Sequence, residues 1–150
     1  MATIKFFVAG LPQSRGSKRA FPFKKKNGGL GVAVSDNNPK SKDWMATVAV
    51  EAADSMEGTP IFTGPVGVLM RFVMRRPKSH YKKNGELKDL AEKFHYHATR
   101  PDRGKLQRGV EDALTGIVYV DDAQVCCGPV EKVYGEQPGV WIEVTPMYEL

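Results

Sequence analysis

The sequence predicts a single α+β domain in which two main helices pack on a mixed β-sheet. Strands are expected near both ends of the chain, because residues 3–9 and 140–145 are rich in β-branched and aromatic side chains. Residues 66–75 are apolar on both strand faces, which is typical of a central strand. Apolar residues at helical spacing recur in residues 40–56 and 104–115 and predict the two helices.

The first strand is expected to end at Gly10-Leu11-Pro12. A hairpin follows, because two apolar segments, 21–23 and 30–34, flank an Asn27-Gly28 turn signal. Three lysines precede that turn. They fit a contact with DNA, and they equally fit an edge strand that is protected by charge.

The first helix pattern places Trp44, Val48 and Ala52 on one face. Trp44 is therefore expected to anchor the core rather than to stack on a base. Residues 76–100 are polar and basic and predict a long loop, of the kind that is either functional or disordered.

The second helix pattern rests on Leu106, Val110, Ala113 and Leu114. After Thr115-Gly116, the residues Ile117–Val120 predict a strand that delivers two aspartates. Residues 123–134 are expected to continue as a strand or a hairpin, and residues 140–145 form the last strand.

Charge is distributed unevenly around the net value of +5. Residues 1–50 carry nine Lys/Arg and two Asp/Glu, residues 51–108 carry twelve and seven, and residues 109–150 carry one and eight. The basic part indicates a polyanionic partner. The acidic part can contact phosphate only if a metal ion intervenes. The basic and acidic parts together therefore suit an enzyme that binds nucleic acid and cuts it.

Several function classes are disfavoured. No apolar run approaches the ~18 residues of a membrane span, and the N-terminus is too short and strand-like for a signal peptide, so a cytoplasmic location is expected. The segment from Gly10 to Lys18 fails as a nucleotide-binding loop in spacing and residue order, so no nucleotide cofactor is expected. Cys126 and Cys127 fit neither a disulfide framework nor a zinc site, and as neighbours on a strand they are expected on opposite faces, buried or half-buried.

The stretch from Arg100 to Val125 carries the chemistry. Asp102 stands behind a proline, a basic helical turn follows, and Asp121 and Asp122 come after a glycine turn. Taken singly, Asp102 is an ordinary helix cap and the aspartate pair an ordinary turn. Together, acids from two segments beside cations are what a hard metal ion and a phosphate backbone require.

This stretch, RPDRGKLQRGVEDALTGIVYVDDAQV, resembles the signature of RusA-type Holliday junction resolvases. In that family the core reads basic-Pro-Asp-x-Asp-(Asn or Lys)-Leu-x-(Lys or Arg), then Asp-Ala-Leu, then Asp-Asp-x-Gln-Val. The matching residues are Arg100, Pro101, Asp102, Lys105, Leu106, Arg108, Asp112, Ala113, Leu114, Asp121, Asp122, Gln124 and Val125. Weaker similarity to phage-borne members extends to GSKRAF, Trp44 and RPKSHY.

The resemblance implies a homodimeric nuclease, dependent on Mg²⁺ or Mn²⁺, that cuts four-way DNA junctions in a bacterial cell, whether the gene is bacterial or phage-borne. It implies that Asp102 and Asp122, with Asp121, hold metal, and that Arg108 steadies phosphate or developing charge. Since side chains alternate along a strand, we expect Asp122 as the direct ligand and Asp121 as a supporting residue.

One position departs from the family pattern, because Gly104 stands where the family has the second Asp of its Asp-x-Asp pair. We expect a folded, DNA-binding protein with weakened metal binding and reduced or abolished cleavage. The alternative is a non-catalytic protein that binds DNA structures and keeps the fold. Asp112, two helical turns on at ~12 Å, is too far to replace the missing acid and is assigned to a salt bridge or hydrogen bond.

Cations and one histidine in the basic segments are expected to contact DNA. They are Arg15, Lys18, Arg19, Lys24, Lys25, Lys26, Arg76, Lys78, His80, Lys82, Lys83, Arg100, Arg103 and Lys105.

Overall fold

A computed structural model describes residues 3–16, 18–36 and 38–149, without the side chains of residues 18, 19, 21 and 34–36. The strands and helices are β1 (Ile4–Ala9), β2 (Lys18–Lys24), β3 (Leu30–Asp36), α1 (Ser41–Ser55), β4 (Val66–Met74), α2 (Asp89–Glu92), α3 (Arg103–Leu114), β5 (Val125–Cys127), β6 (Val130–Tyr134) and β7 (Gly139–Pro146). Two single 3-10 turns, Lys78–His80 and Asp122–Gln124, complete the chain.

Five strands form the main sheet, in the order β1-β7-β4, with β5 and β6 both beside β4. The β1–β7 and β7–β4 pairs are antiparallel, whereas β5 and β6 run parallel to β4. The expected α+β class, the mixed sheet and the central position of β4 are therefore confirmed.

β5 and β6 divide one edge of the sheet between them and do not form a hairpin with each other. Gly128 lies at the break with a φ of +134°, and a Cβ at this position would overlap the backbone of Val68. Only glycine lets the chain pass this close to β4.

The two long helices cover one face of the sheet. Trp44, Val48 and Ala52 of α1 and the apolar face of α3 join the inward side chains of β1, β4 and β7 in one hydrophobic core. Trp44 is 5% exposed, so the expected core anchor is confirmed. The long connection after β4 contains the extra one-turn helix α2, which helical periodicity did not reveal.

The predicted hairpin is present, as β2 and β3 pair antiparallel and form a separate two-stranded sheet. Its apolar side chains Phe23, Leu30 and Val32 are exposed, at 43%, 78% and 71%. The hairpin is therefore a projecting arm rather than part of the core.

The prediction of a strand at Ile117–Val120 is wrong. Gly116 has a φ of +83°, its N–H donates to Tyr119 O at 2.7 Å, and Val118 N–H donates to Leu114 O at 2.9 Å. These bonds form tight turns directly after α3. The neighbouring side chains of Val118 and Tyr119 are both fully buried in this turn.

The connection expected as a long loop is organised around Tyr134 of β6. The guanidinium of Arg76 lies 4.8 Å from the centre of the Tyr134 ring, and the rings of His80 and His97 meet it edge-on at 5.2 and 5.1 Å. Arg76 also donates hydrogen bonds of 3.0 Å to the carbonyls of Ala91 and Phe94. These contacts fix the connection against the sheet edge.

Among the described residues, none of the helices combines the length and apolar character that a membrane crossing requires.

Candidate functional site

The signature helix α3 has one buried and one outward face. Leu106, Val110 and Leu114 are fully buried in the core. Gly104 and Arg108 are exposed and lie four residues apart, so they share the outward face. A Cβ at Gly104 would meet nothing within 4 Å, so the place of the family aspartate is open space.

Asp102 is the N-cap residue of α3, but its side chain makes no capping hydrogen bond. Its backbone carbonyl instead accepts the first helical bonds, from Lys105 and Leu106. The exposed carboxylate is therefore free for another partner.

Lys132 of β6 supports the segment that leads to Asp102. Its ammonium donates to the carbonyls of Thr99 and Pro101, at 2.7 and 2.8 Å. Burial lowers the pKa of Lys132, while the negative charge of Asp102 raises it and the positive charge of Arg103 lowers it further. Lys132 thus holds the backbone next to Asp102 and partly offsets its charge.

A groove of about 480 Å³ lies beside this end of α3. Pro12, Gln13 and Ser14 line one side, and Arg100, Pro101, Asp102 and Lys105 line the other. Two cations and one carboxylate make it a suitable seat for a phosphate group.

At the other end of α3, Asp121 caps the short helix Asp122–Gln124. Its carboxylate accepts a hydrogen bond of 2.9 Å from Ala123 N–H, and the side chain of Gln124 completes a capping box. Asp121 therefore stabilises this turn.

Gln124 uses all its hydrogen-bonding groups in this turn. Its oxygen accepts from the N–H groups of Val120 and Asp121, both at 2.9 Å. Its amide nitrogen donates to the carbonyls of Phe62 and Gly64, at 2.9 and 2.8 Å. Gln124 thereby ties the aspartate pair to the chain before β4.

Asp122 is exposed and lies among other carboxylates. A side-chain hydrogen bond with Asp121 raises the pKa of Asp122, and desolvation and the charges of Asp121 and Asp112 raise it further, against a smaller lowering by Ala123 N–H. Like-charge repulsion of this kind is what a bound cation relieves.

Two carboxylates of α3 complete this acidic group. Burial raises the pKa of Glu111, a hydrogen bond from Gln107 lowers it, and the charges of Asp122 and Asp112 raise it. Asp112 forms an ion pair of 3.7 Å with Arg15, so its expected salt bridge is confirmed. Its influence on Asp122 went unforeseen.

The predicted ligands thus lie in two places. Asp121 and Asp122 are grouped with Glu111 and Asp112, whereas Asp102 is at the start of α3, roughly 15 Å along the helix axis from Asp112. Within residues 3–16, 18–36 and 38–149, no three His, Cys, Asp or Glu side chains form a group that could hold a metal ion.

The donors present nevertheless fit a weakly held hard cation. Mg²⁺ takes oxygen ligands and retains several waters, so one or two carboxylates are enough for loose binding. Asp122 offers an exposed oxygen donor among neighbouring negative charges.

The predicted DNA contacts are placed unequally. Lys24, Lys25 and Lys26 are exposed at the tip of the β2–β3 arm, and Lys78, Lys82, Lys83, Arg100 and Arg103 are exposed as well. Arg76 and His80 turn inward to Tyr134, and Arg15 contacts Asp112 and the sulfur of Met45. Lys18 and Arg19 lie in β2, with side chains outside the described part of the chain.

Two supporting residues escaped the sequence reasoning. Gln124 had a readable signal, because Asp121-x-x-Gln124 has the spacing of a capping box. Lys132 had a weaker one, as the single basic residue in the acidic segment 109–150.

Comparison with known families shows to which family this chain belongs. Residues 15–145 match the model of the family "Endodeoxyribonuclease RusA". The chain belongs to the RusA endodeoxyribonuclease family. The match includes the signature helix and the aspartate turn, and it supports the resemblance to Holliday junction resolvases that the motif predicted.

Family membership implies endonuclease activity and the binding of branched DNA junctions. RusA-type resolvases are generally dependent on a divalent metal ion. Over 145 residues the chain is also 34% identical to the "Uncharacterized protein YqaN" of Bacillus subtilis (strain 168), and the match covers 96% of each protein.

Proposed function

We propose that this protein binds four-way DNA junctions as a homodimer, and that its cleavage of them with Mg²⁺ or Mn²⁺ is weakened or abolished by Gly104. The observation that carries the proposal is the RusA match across residues 15–145, with Asp102, Asp121 and Asp122 retained and Gly104 in place of an acid.

Different residues bind phosphate and the cation at the two ends of α3. Arg100 and Lys105 in the groove bind a backbone phosphate. Asp122 supplies the direct carboxylate for a cation, Asp121 and Gln124 orient it, and Asp102 contributes from the helix start. Arg108, on the outward face between the ends, steadies charge on the scissile phosphate.

A divalent cation held there would lower the pKa of a bound water and offset charge on the scissile phosphate. Gly104 lies on the outward face of α3, two residues from Asp102 and with open space around it, so an aspartate would add a second carboxylate at the start of the helix. Its absence leaves Asp102 as the single acid at this end of α3, which is our explanation for weak metal binding.

Two-fold symmetry suits this reaction, because a four-way junction needs paired cuts and a symmetric dimer presents two equal sites. Sedimentation velocity of the free protein tests this part. A monomer at micromolar concentration that also binds junctions one to one would contradict it.

The second candidate function is binding of DNA junctions without cleavage. Gly104 favours it, since glycine offers no side-chain ligand, while the exposed cations needed for binding remain.

The decisive experiment incubates a synthetic four-way junction with Mg²⁺ or Mn²⁺ and three proteins: the natural chain, Gly104→Asp and Gly104→Asn. The asparagine control fills the same space without the charge. We expect all three to bind the junction and only Gly104→Asp to cleave it rapidly.

Equal cleavage by all three would show that position 104 is not a ligand position. Binding without cleavage by any of the three would favour the second function. A failure of all three to bind the junction would overturn the proposal.

A further inference from the structure

The two cysteines lie where the expected alternation of side chains fails. Cys126 and Cys127 are both exposed, and their sulfur atoms are 4.0 Å apart. The expectation of buried or half-buried thiols on opposite strand faces is therefore wrong.

A β-bulge explains the change. Val66 of β4 pairs with Val125, but the next residue, Gly67, pairs with Cys127. Cys126 is thus an extra residue on β5, and such a residue is left unpaired and redirects its side chain. Its thiol lies 3.4 Å from Val66 O, within reach of a weak hydrogen bond.

Gly67 leaves room for the second thiol. A Cβ at Gly67 would lie 3.2 Å from the sulfur of Cys127, closer than an ordinary contact. β5 is also the last strand in its part of the sheet, so solvent reaches both sulfurs.

We propose that Cys126 and Cys127 form a vicinal dithiol site that binds thiophilic trivalent metalloids, with both sulfurs on one arsenic atom. Soft thiolate ligands select soft ions. Sulfurs that are close together make the second bond intramolecular, which strengthens binding strongly over a single thiol. The hydrogen bond with Cys126 that raises the pKa of Cys127 agrees with thiols that face each other.

The reaction balances without an oxidant. Hydrated phenylarsine oxide carries two hydroxyl groups on arsenic. Each thiol forms one As–S bond and gives its proton to a leaving hydroxyl, so two waters depart and arsenic stays trivalent. The site is separate from the carboxylates of Asp121 and Asp122, although only Val125 stands between Cys126 and Gln124.

The test uses phenylarsine oxide, the folded protein and intact-mass measurement. These two residues are the chain's only cysteines, so Cys126→Ser and Cys127→Ser are matched controls. We expect one phenylarsenic group per natural chain and loss of both free thiols. Reversal should need about a hundredfold more glutathione for the natural protein than for either serine variant.

Comparison with the urea-unfolded chain tests whether the fold presents the pair. We expect the folded protein to react with phenylarsine oxide at a rate similar to that of the unfolded chain. Reaction only after unfolding, two arsenic groups per chain, or a serine variant that holds arsenic as firmly as the natural protein would each overturn the proposal. None of these results depends on junction cleavage.

Discussion

The two ends of α3 carry opposite electrostatic environments. At its start, the carboxylate of Asp102 lines a groove together with Arg100 and Lys105, and its charge acts on Lys132. Beyond its other end, Asp122 and Glu111 have raised pKa values, to which the negative charges of neighbouring carboxylates contribute. One helix thus separates a surface suited to phosphate from a surface suited to a cation, and Gly104 occupies the family position that would add a second acid beside Asp102.

The largest loss of stability is expected from a variant at the acidic end of α3. Gln124→Met removes four hydrogen bonds and leaves the carbonyls of Phe62 and Gly64 without their donor, so we expect a loss of about 2–4 kcal/mol in the free energy of unfolding. Urea unfolding measures it. Gln107→Met, which removes one bond to Glu111, is the control; an equal loss from both variants would contradict the assigned role.

A smaller loss of stability is expected from a variant at the basic end of α3. Lys132→Met removes two charge-assisted bonds to the carbonyls of Thr99 and Pro101, and we expect a loss of about 1–2 kcal/mol, measured by urea unfolding. Lys132→Arg should restore part of it. A Lys132→Met protein as stable as the natural chain would show that these bonds do not hold the Asp102 segment.

Binding of junction DNA should separate the two ends. Arg100→Gln with Lys105→Gln should lower the slope of log affinity against log salt by about 2, because roughly 0.9 is lost for each phosphate contact. Titration by fluorescence anisotropy measures the slope. Asp122→Asn should leave the slope unchanged or strengthen binding. A larger change in slope from Asp122→Asn than from the double variant would place the phosphate contact at the acidic end of α3 and contradict this account.

The smallest effect concerns Glu111, whose pKa is raised chiefly by burial. A raised pKa means that the ionised carboxylate destabilises the folded protein, so Glu111→Gln should raise stability at neutral pH. The gain should vanish below pH ~4.3, where the carboxyl is protonated in both states. Unfolding measured between pH 4 and 7.5 tests the sign, and a gain that grows as the pH falls would contradict it.

Local patterns predicted much of the fold. The first and last strands, β4, the hairpin and both long helices follow from periodicity and turn residues. Ile117–Val120 was mistaken for a strand because four apolar residues look alike in a strand and in a buried turn, and the turn depends on bonds back to Leu114. The parallel pairing of β5 and β6 with β4 joins residues far apart in the chain, which no local pattern encodes.

The signature located the acidic residues but not their grouping. Spacing identified Asp102, Asp121 and Asp122, yet only tertiary structure shows that Asp112 acts on Asp122 while Asp102 acts on Lys132. Likewise, the convergence of the two thiols follows from a bulge, and the inward turn of Arg76 follows from the position of Tyr134.

Binding of Mn²⁺ tests the central claim most directly. Titrations of the natural chain, Gly104→Asp and Gly104→Asn, followed by the paramagnetic resonance of free Mn²⁺, compare the three donor sets without DNA. We expect Gly104→Asp to bind Mn²⁺ about tenfold more tightly than the other two, because its carboxylate adds a second acid beside Asp102 at the start of α3. Equal affinity in all three proteins would show that position 104 does not complete the site.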